Sequence, residues 1–178
     1  MLTSNDSSVI WNDMQGWGPR DIAYAGIIAA LYAALAIILA PISFGVYQVR
    51  VAESLTVLPF LIRSAPFGLF VGCLLANIYG GYGVQDIVFG SLLTLAAGYL
   101  TLLCGRIKAV KLGLSLAPLP PVLLNAFGVA AYLSQMTGMT YFFVVQMIGL
   151  GELVSCYVLG LPLLLYLRSR MGRIRLTG

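Results

Sequence analysis

Three carboxylates, Glu53, Asp86 and Glu152, stand inside or at the edge of long apolar runs, together with three amides, Asn77, Asn125 and Gln146, and one guanidinium, Arg50. A charge held within a bilayer is costly, and those that a chain keeps mark ligand or ion pathways. Counting along helices at about 1.5 Å per residue places Glu53 roughly 10 Å in from one face and Asn125 roughly 14 Å. On the same count Gln146 lies roughly 8 Å in and Glu152 roughly 16 Å, with Asn77 and Asp86 near the surface. All belong to one half of the membrane or its midplane, so they predict a polar cavity open to one side. An excess of carboxylates suits a ligand that brings N–H donors or positive charge, because one carboxylate accepts two parallel N–H bonds from a guanidine-like edge. A purine-like ring would also stack on aromatics, and Tyr79 lies at this level with Tyr47, Tyr82, Tyr132 and Tyr141.

Most of these residues have a purely structural use as well. Arg50 and Glu53 are three apart and can pair on a helix. Asp86 follows a glycine turn and suits a helix N-terminus. Asn125 and Gln146 suit hydrogen bonds between membrane helices. Glu152 is mid-span, and no basic residue of its own run is near enough to pair with it.

The elements that must carry these groups follow from composition. The chain has 178 residues, 60% hydrophobic and 9% charged, where a soluble domain has about a quarter charged. An integral membrane protein of one domain is the consistent reading. Apolar runs cover 22–40, 47–62, 66–79, 84–104, 118–134 and 141–167. The second and third are short for a span, and could be tilted spans or one re-entrant hairpin. Arg20, Arg63, the group Arg106, Lys108 and Lys111, and the group Arg168, Arg170, Arg173 and Arg175 occupy alternate gaps. The intervening gaps PISFGV, GGYG and SQMTGM have no Lys or Arg. Six transmembrane helices with both termini cytoplasmic satisfy the positive-inside rule. The expected division is an N-terminal segment 1–20 that Trp11 and Trp17 could anchor at the interface, a six-helix bundle 21–168, and a basic cytoplasmic tail 169–178.

The positive balance of +4 thus reads as topology rather than nucleic-acid binding. Without histidine there is no Ser-His or Cys-His pair and no H-E-x-x-H site, and no phosphate-binding G-x-x-x-x-G-K-[ST] loop is present. The lysines lie far from the polar cavity. Cys73, Cys104 and Cys156 have no metal-site spacing and read as small packing residues. No enzyme, cofactor or metal is expected. Small residues repeat every four positions in the first run, as Gly26, Ala30 and Ala34 and as Ala25, Ala29 and Ala33. Such stripes allow close helix approach, within the bundle or against another membrane subunit.

The segments YQVRVAESLTVLPFL, GLFVGCLLANIYGGYGVQDIVFGSLLTLAAGYLT, PPVLLNAFGVAAYL and GLGELVSCYVLGLPLLLYL resemble the QueT family, over about residues 20–168. These are substrate-binding S components of energy-coupling factor (ECF) transporters. The resemblance implies an all-α membrane protein, a six-helix bundle of the S-component type, in a bacterial cell membrane. It implies a queuosine precursor as substrate, a 7-deazaguanine such as the 7-aminomethyl form, bound near the outer face. It implies partners: a transmembrane coupling subunit and two cytoplasmic ATPases, met through the small-residue face Gly26, Ala29, Ala30, Ala33 and Ala34. Glu53, Asn77, Asp86 and Glu152 fall within the family-like segments. An S component for another vitamin-like ligand, or a ligand-free membrane scaffold, would have the same composition.

Overall fold

The structure, a computed structural model, describes residues 16–176, with side chains through Arg170. Trp11 lies outside them. The described residues form helices and no strand. α1 spans Pro19–Ile38, α2 Ala65–Gly80, α3 Asp86–Cys104 and α4 Val110–Thr137; α5 starts at Tyr141 and continues to Leu176. Between α1 and α2 stand one turn of helix, Ala40–Ser43, and a 3-10 helix, Val51–Phe60. α1, α3, α4 and α5 are long and apolar enough to cross a membrane.

The other two elements correspond to the two short runs. The ten residues of the 3-10 helix reach about 20 Å at about 2.0 Å each. The sixteen residues of α2 reach about 24 Å at about 1.5 Å each. Both fall short of a hydrocarbon core of about 30 Å. A 3-10 helix has poorer hydrogen-bond geometry than an α-helix, and irregular backbone is tolerated at membrane depth only where protein surrounds it. Here every residue from Ala52 to Pro59 is buried, and α1, α2, α3 and α5 all pack on this segment.

α1 and α2 meet along a seam of small residues. Ala25, Ala29 and Ala33 are buried on it, facing Gly68 and Gly72. A methyl group on Gly68 would stand 2.6 Å from the Ala25 carbonyl oxygen, and one on Gly72 2.8 Å from that of Ala29. Only hydrogen fits there. The docking face expected from sequence is therefore split. Ala29 and Ala33 lie inside the bundle, whereas Gly26, Ala30 and Ala34 are exposed. Neighbouring residues on a helix differ by about 100°, so the stripe one residue on is turned away from the seam. At the start of α1 the Arg63 guanidinium forks onto Asp21, with Nε to Oδ1 at 3.2 Å and Nη2 to Oδ2 at 2.8 Å. That pair joins the first helix to the connection before α2. Trp17 packs edge-on against Phe67 beside it, 5.3 Å between centroids.

α4 begins earlier than the prolines suggest. Its helix opens at Val110, and a turn at 117–118 leads into Leu119–Leu124. Pro120 and Pro121 cannot donate to the carbonyls of Leu116 and Ala117 one turn back. α3 provides the donors instead: Thr101 Oγ1 reaches the Ala117 oxygen at 3.0 Å, and the Cys104 thiol the Leu116 oxygen at 3.8 Å. Proline is tolerated inside a membrane helix when neighbouring side chains satisfy the freed groups in this way. α2 and α4 each end on a glycine at φ +70°, Gly81 and Gly138, the left-handed conformation that closes helices.

Three helices also carry a stretch of wider, π-type turn: Asp86–Gly90 in α3, Asn125–Val129 in α4 and Val154–Gly160 in α5. The last of these ends two residues before Pro162, whose missing N–H cannot bond the Val158 carbonyl one turn back.

A buried polar cluster

The polar residues at these irregular segments meet between the helices. Glu53, in the first turn of the 3-10 helix, is fully buried. Its Oε1 accepts a hydrogen bond from the Tyr32 hydroxyl of α1, and its Oε2 has no partner. Glu152, the penultimate residue before the π-type turn of α5, is buried as well. Asn125 Nδ2 donates to its Oε1 at 3.1 Å, and the Cys156 thiol lies 3.6 Å from its Oε2. Cys156 is also 3.6 Å from the Glu53 carbonyl oxygen and 3.7 Å from Thr56 Oγ1, so it bridges the two acidic positions.

The second half of the cluster is built on Arg50. This residue precedes the 3-10 helix, and its Nη2 donates to Asn77 Oδ1 of α2. Its guanidinium lies over the Phe44 ring, 5.3 Å from the centroid, and its Nε has no partner. Asn77 Nδ2 in turn donates to the Asp86 carbonyl at 2.9 Å and reaches Cys73 Sγ at 3.5 Å. The Asp86 carboxylate accepts from the Tyr132 hydroxyl at 2.6 Å. Three buried carboxylates and one buried guanidinium thus lie in a single cluster, with the Arg50 guanidinium hydrogen-bonded to Asn77 rather than to a carboxylate. Arg50 and Glu53 form no ion pair in this structure, because Arg50 lies outside the helical turn and extends toward α2.

Glycines allow this convergence. A methyl group on Gly90 would stand 2.8 Å from Asn77 Nδ2, and one on Gly160 3.0 Å from the Ser54 carbonyl oxygen. At Gly151 it would overlap the Gln48 carbonyl. π-type turns in α-helices occur frequently at functional sites. Here one begins at Asp86, one begins at Asn125 and one follows Glu152 by two residues. Irregular backbone and buried polar side chain coincide at each.

Six of the sequence-derived site residues are therefore gathered and buried: Arg50, Glu53, Asn77, Asp86, Asn125 and Glu152. Two are not. Gln146 is exposed on α5 and Tyr79 is 60% exposed on α2. Six residues separate Gln146 from Glu152, a rotation of about 240°, and two separate Asn77 from Tyr79, about 200°. Depth alone could not show this; the angle around the helix could. Tyr32, Thr56, Cys73 and Cys156 join the cluster without having been singled out as site residues. Their signal was spacing: Cys73 lies one helical turn before Asn77 and Cys156 one turn after Glu152. Tyr32 places a hydroxyl in a buried apolar stripe, where it needs a partner.

Toward the end of the bundle that carries the 39–50 connection, the cluster narrows to a crevice lined by Phe44, Gln48, Arg50, Tyr82, Asp86 and Leu133. Its volume is about 10 Å³, room for about one water. Phe44 and Tyr82 stack over it with centroids 6.1 Å apart. Among the described residues no group of Cys, Asp and Glu is arranged to hold a metal ion.

No curated protein and no solved structure matches the chain. A family model described as QueT transporter matches residues 22–169. That match covers most of every helix and every residue of the cluster, and it gives this multi-pass membrane protein a transport role rather than a catalytic one: the chain belongs to the QueT transporter family.

Proposed function

We propose that the chain is the substrate-binding S component of an ECF-type importer and that it captures a queuosine precursor from outside the cell. The observation that carries this reading is the buried cluster of three carboxylates around one arginine, with Glu53 Oε2 and Arg50 Nε left without partners. Buried polar atoms normally find hydrogen bonds, and each orphan calls for an explanation. A 7-deazaguanine offers a guanine-like donor edge and, in the 7-aminomethyl form, an ammonium group. Glu53 or Glu152 accepts the ring N–H and exocyclic amine. The other, or Asp86, neutralises the ammonium. Asn77 and Asn125 complete the base's polar edge, and Arg50 faces its carbonyl. The excess of negative charge favours the amine over a neutral 7-cyano ligand.

A ligand of this size needs a site of about 300 Å³ or more. The connection 39–50 and Tyr82 must therefore move for it to enter. Uptake is driven by two ATPases on a transmembrane coupling subunit, met through the exposed Gly26, Ala30 and Ala34 stripe, in a bacterial cell membrane with both termini cytoplasmic.

Calorimetry on purified protein tests the reading. It should bind 7-aminomethyl-7-deazaguanine, and more tightly than the 7-cyano compound. Folded protein that binds no deazaguanine would sink the proposal in favour of another vitamin-like ligand or a scaffold role.

A further inference from the structure

At the end of the bundle opposite the crevice, α3 and α4 diverge. The turn at 117–118 breaks α4, and the wedge beside it is walled by Leu100, Leu103 and Ile107 on one side and Leu116, Leu119 and Leu123 on the other. It encloses about 520 Å³, within the range of small-molecule sites. Its walls are almost wholly apolar. Ile107 of its lining is flanked in sequence by Arg106 and Lys108, and Lys111 follows in the first turn of Val110–Leu116. All three basic residues are exposed. Arg106 is engaged within the chain. Lys108 and Lys111 have no carboxylate partner among the described residues, and the sequence contains no Asp or Glu between Asp86 and Glu152.

We infer that this wedge is a binding site for an anionic phospholipid, with one acyl chain between α3 and α4 and the phosphate held by Lys108 and Lys111. Two features together select that occupant. An apolar groove within the helical, lipid-immersed part of the chain takes hydrocarbon. Exposed, uncompensated lysines next to its lining residue Ile107 in sequence, just past the end of α3, attract negative charge, and basic residues beside membrane helices bind anionic headgroups in this way. A neutral lipid would leave the lysines without a counter-charge, and a free phosphate would leave the groove unused. The site is separate from the polar cluster and does not depend on what that cluster binds. It would tie α3 and α4 to one leaflet.

The test uses the full chain in vesicles of equal parts phosphatidylglycerol and phosphatidylcholine, extracted gently and weighed by native mass spectrometry. Wild type should retain phosphatidylglycerol over phosphatidylcholine by about fivefold or more. In the double variant K108Q/K111Q that preference should fall to near one, with the helical circular-dichroism signal unchanged. Leu123→Trp, which fills the groove, should reduce retention of both lipids. Equal retention by wild type, or an undiminished preference in the lysine variant, would overturn the inference. So would a second copy of the chain in place of lipid, or displacement of the lipid by free glycerol phosphate alone.

Discussion

The α1–α2 seam and the polar cluster are two solutions to packing inside a membrane. Along the seam the backbone is regular, the side chains are Ala and Gly, and the helices come close enough that a methyl group on Gly68 or Gly72 would strike a carbonyl. In the cluster each carboxylate lies in or next to a 3-10 or π-type segment, and hydrogen bonds replace close apolar contact. Van der Waals contact between helices rewards regularity, because matching surfaces must register over several turns. A binding site rewards the opposite: a local change in turn redirects one side chain without moving the rest. The seam should therefore govern stability and the cluster affinity.

Substitutions can break that division. The largest effect is expected from Gly72→Leu, which drives a side chain into Ala29 and Tyr32. Overpacking costs typically 1–3 kcal/mol and more where backbone is struck, so the protein should lose its cooperative thermal transition in detergent. A stable Gly72→Leu protein would show that the seam is not the rigid part. Next comes Glu53→Gln. A hydrogen bond to a charged group is worth about 2 kcal/mol, so affinity for the aminomethyl ligand should fall about thirtyfold. The melting temperature should hold or rise, because a buried charge has been removed. Unchanged affinity in both Glu53→Gln and Glu152→Gln would end the carboxylate assignment. Tyr132→Phe removes the donor to Asp86 and should cost about 1.5 kcal/mol in binding, roughly tenfold, with a smaller loss of stability. Thr101→Val lies in neither region. It leaves the Ala117 carbonyl short of a donor, and the melting transition should register a loss of at least about 1 kcal/mol with ligand affinity unchanged. The smallest effect on the isolated chain belongs to Gly26→Leu, which points into open space. Stability should stay within about 0.5 kcal/mol, while co-purification of the coupling subunit should fail. Normal uptake by that variant would count against the outward stripe as the docking face.

The helical elements were legible because the chain is apolar throughout, and the polar residues stood out because an apolar chain leaves its exceptions visible. Arg50, Glu53, Asn77, Asp86, Asn125 and Glu152 were picked out that way, and the structure buries all six together. Gln146 and Tyr79 lie outside the cluster: depth was counted without angle, although the spacing from Glu152 and from Asn77 already set them on other faces. The split of the α1 stripes rests on the same geometry. The 3-10 and π-type turns were hidden for a different reason. No local propensity separates them from α-helix, and in the structure they lie at or next to the buried Glu53, Asp86, Asn125 and Glu152. The pairing of Arg50 with Asn77 rather than Glu53 was equally out of reach, since it depends on a backbone that is not yet helical at residue 50.

The hydroxyl of Thr101 and the thiol of Cys104 complete carbonyls that prolines left open in another helix. In hydrocarbon no water can stand in for a missing donor, so such a carbonyl must be satisfied within the protein. α4 is thus unfinished on its own, and what it lacks is held by the helix synthesised just before it. As the chain emerges, α3 is already in place when the proline segment enters the bilayer. The α3–α4 hairpin is in that sense a unit of insertion: the second helix becomes fully compatible with lipid only beside the first.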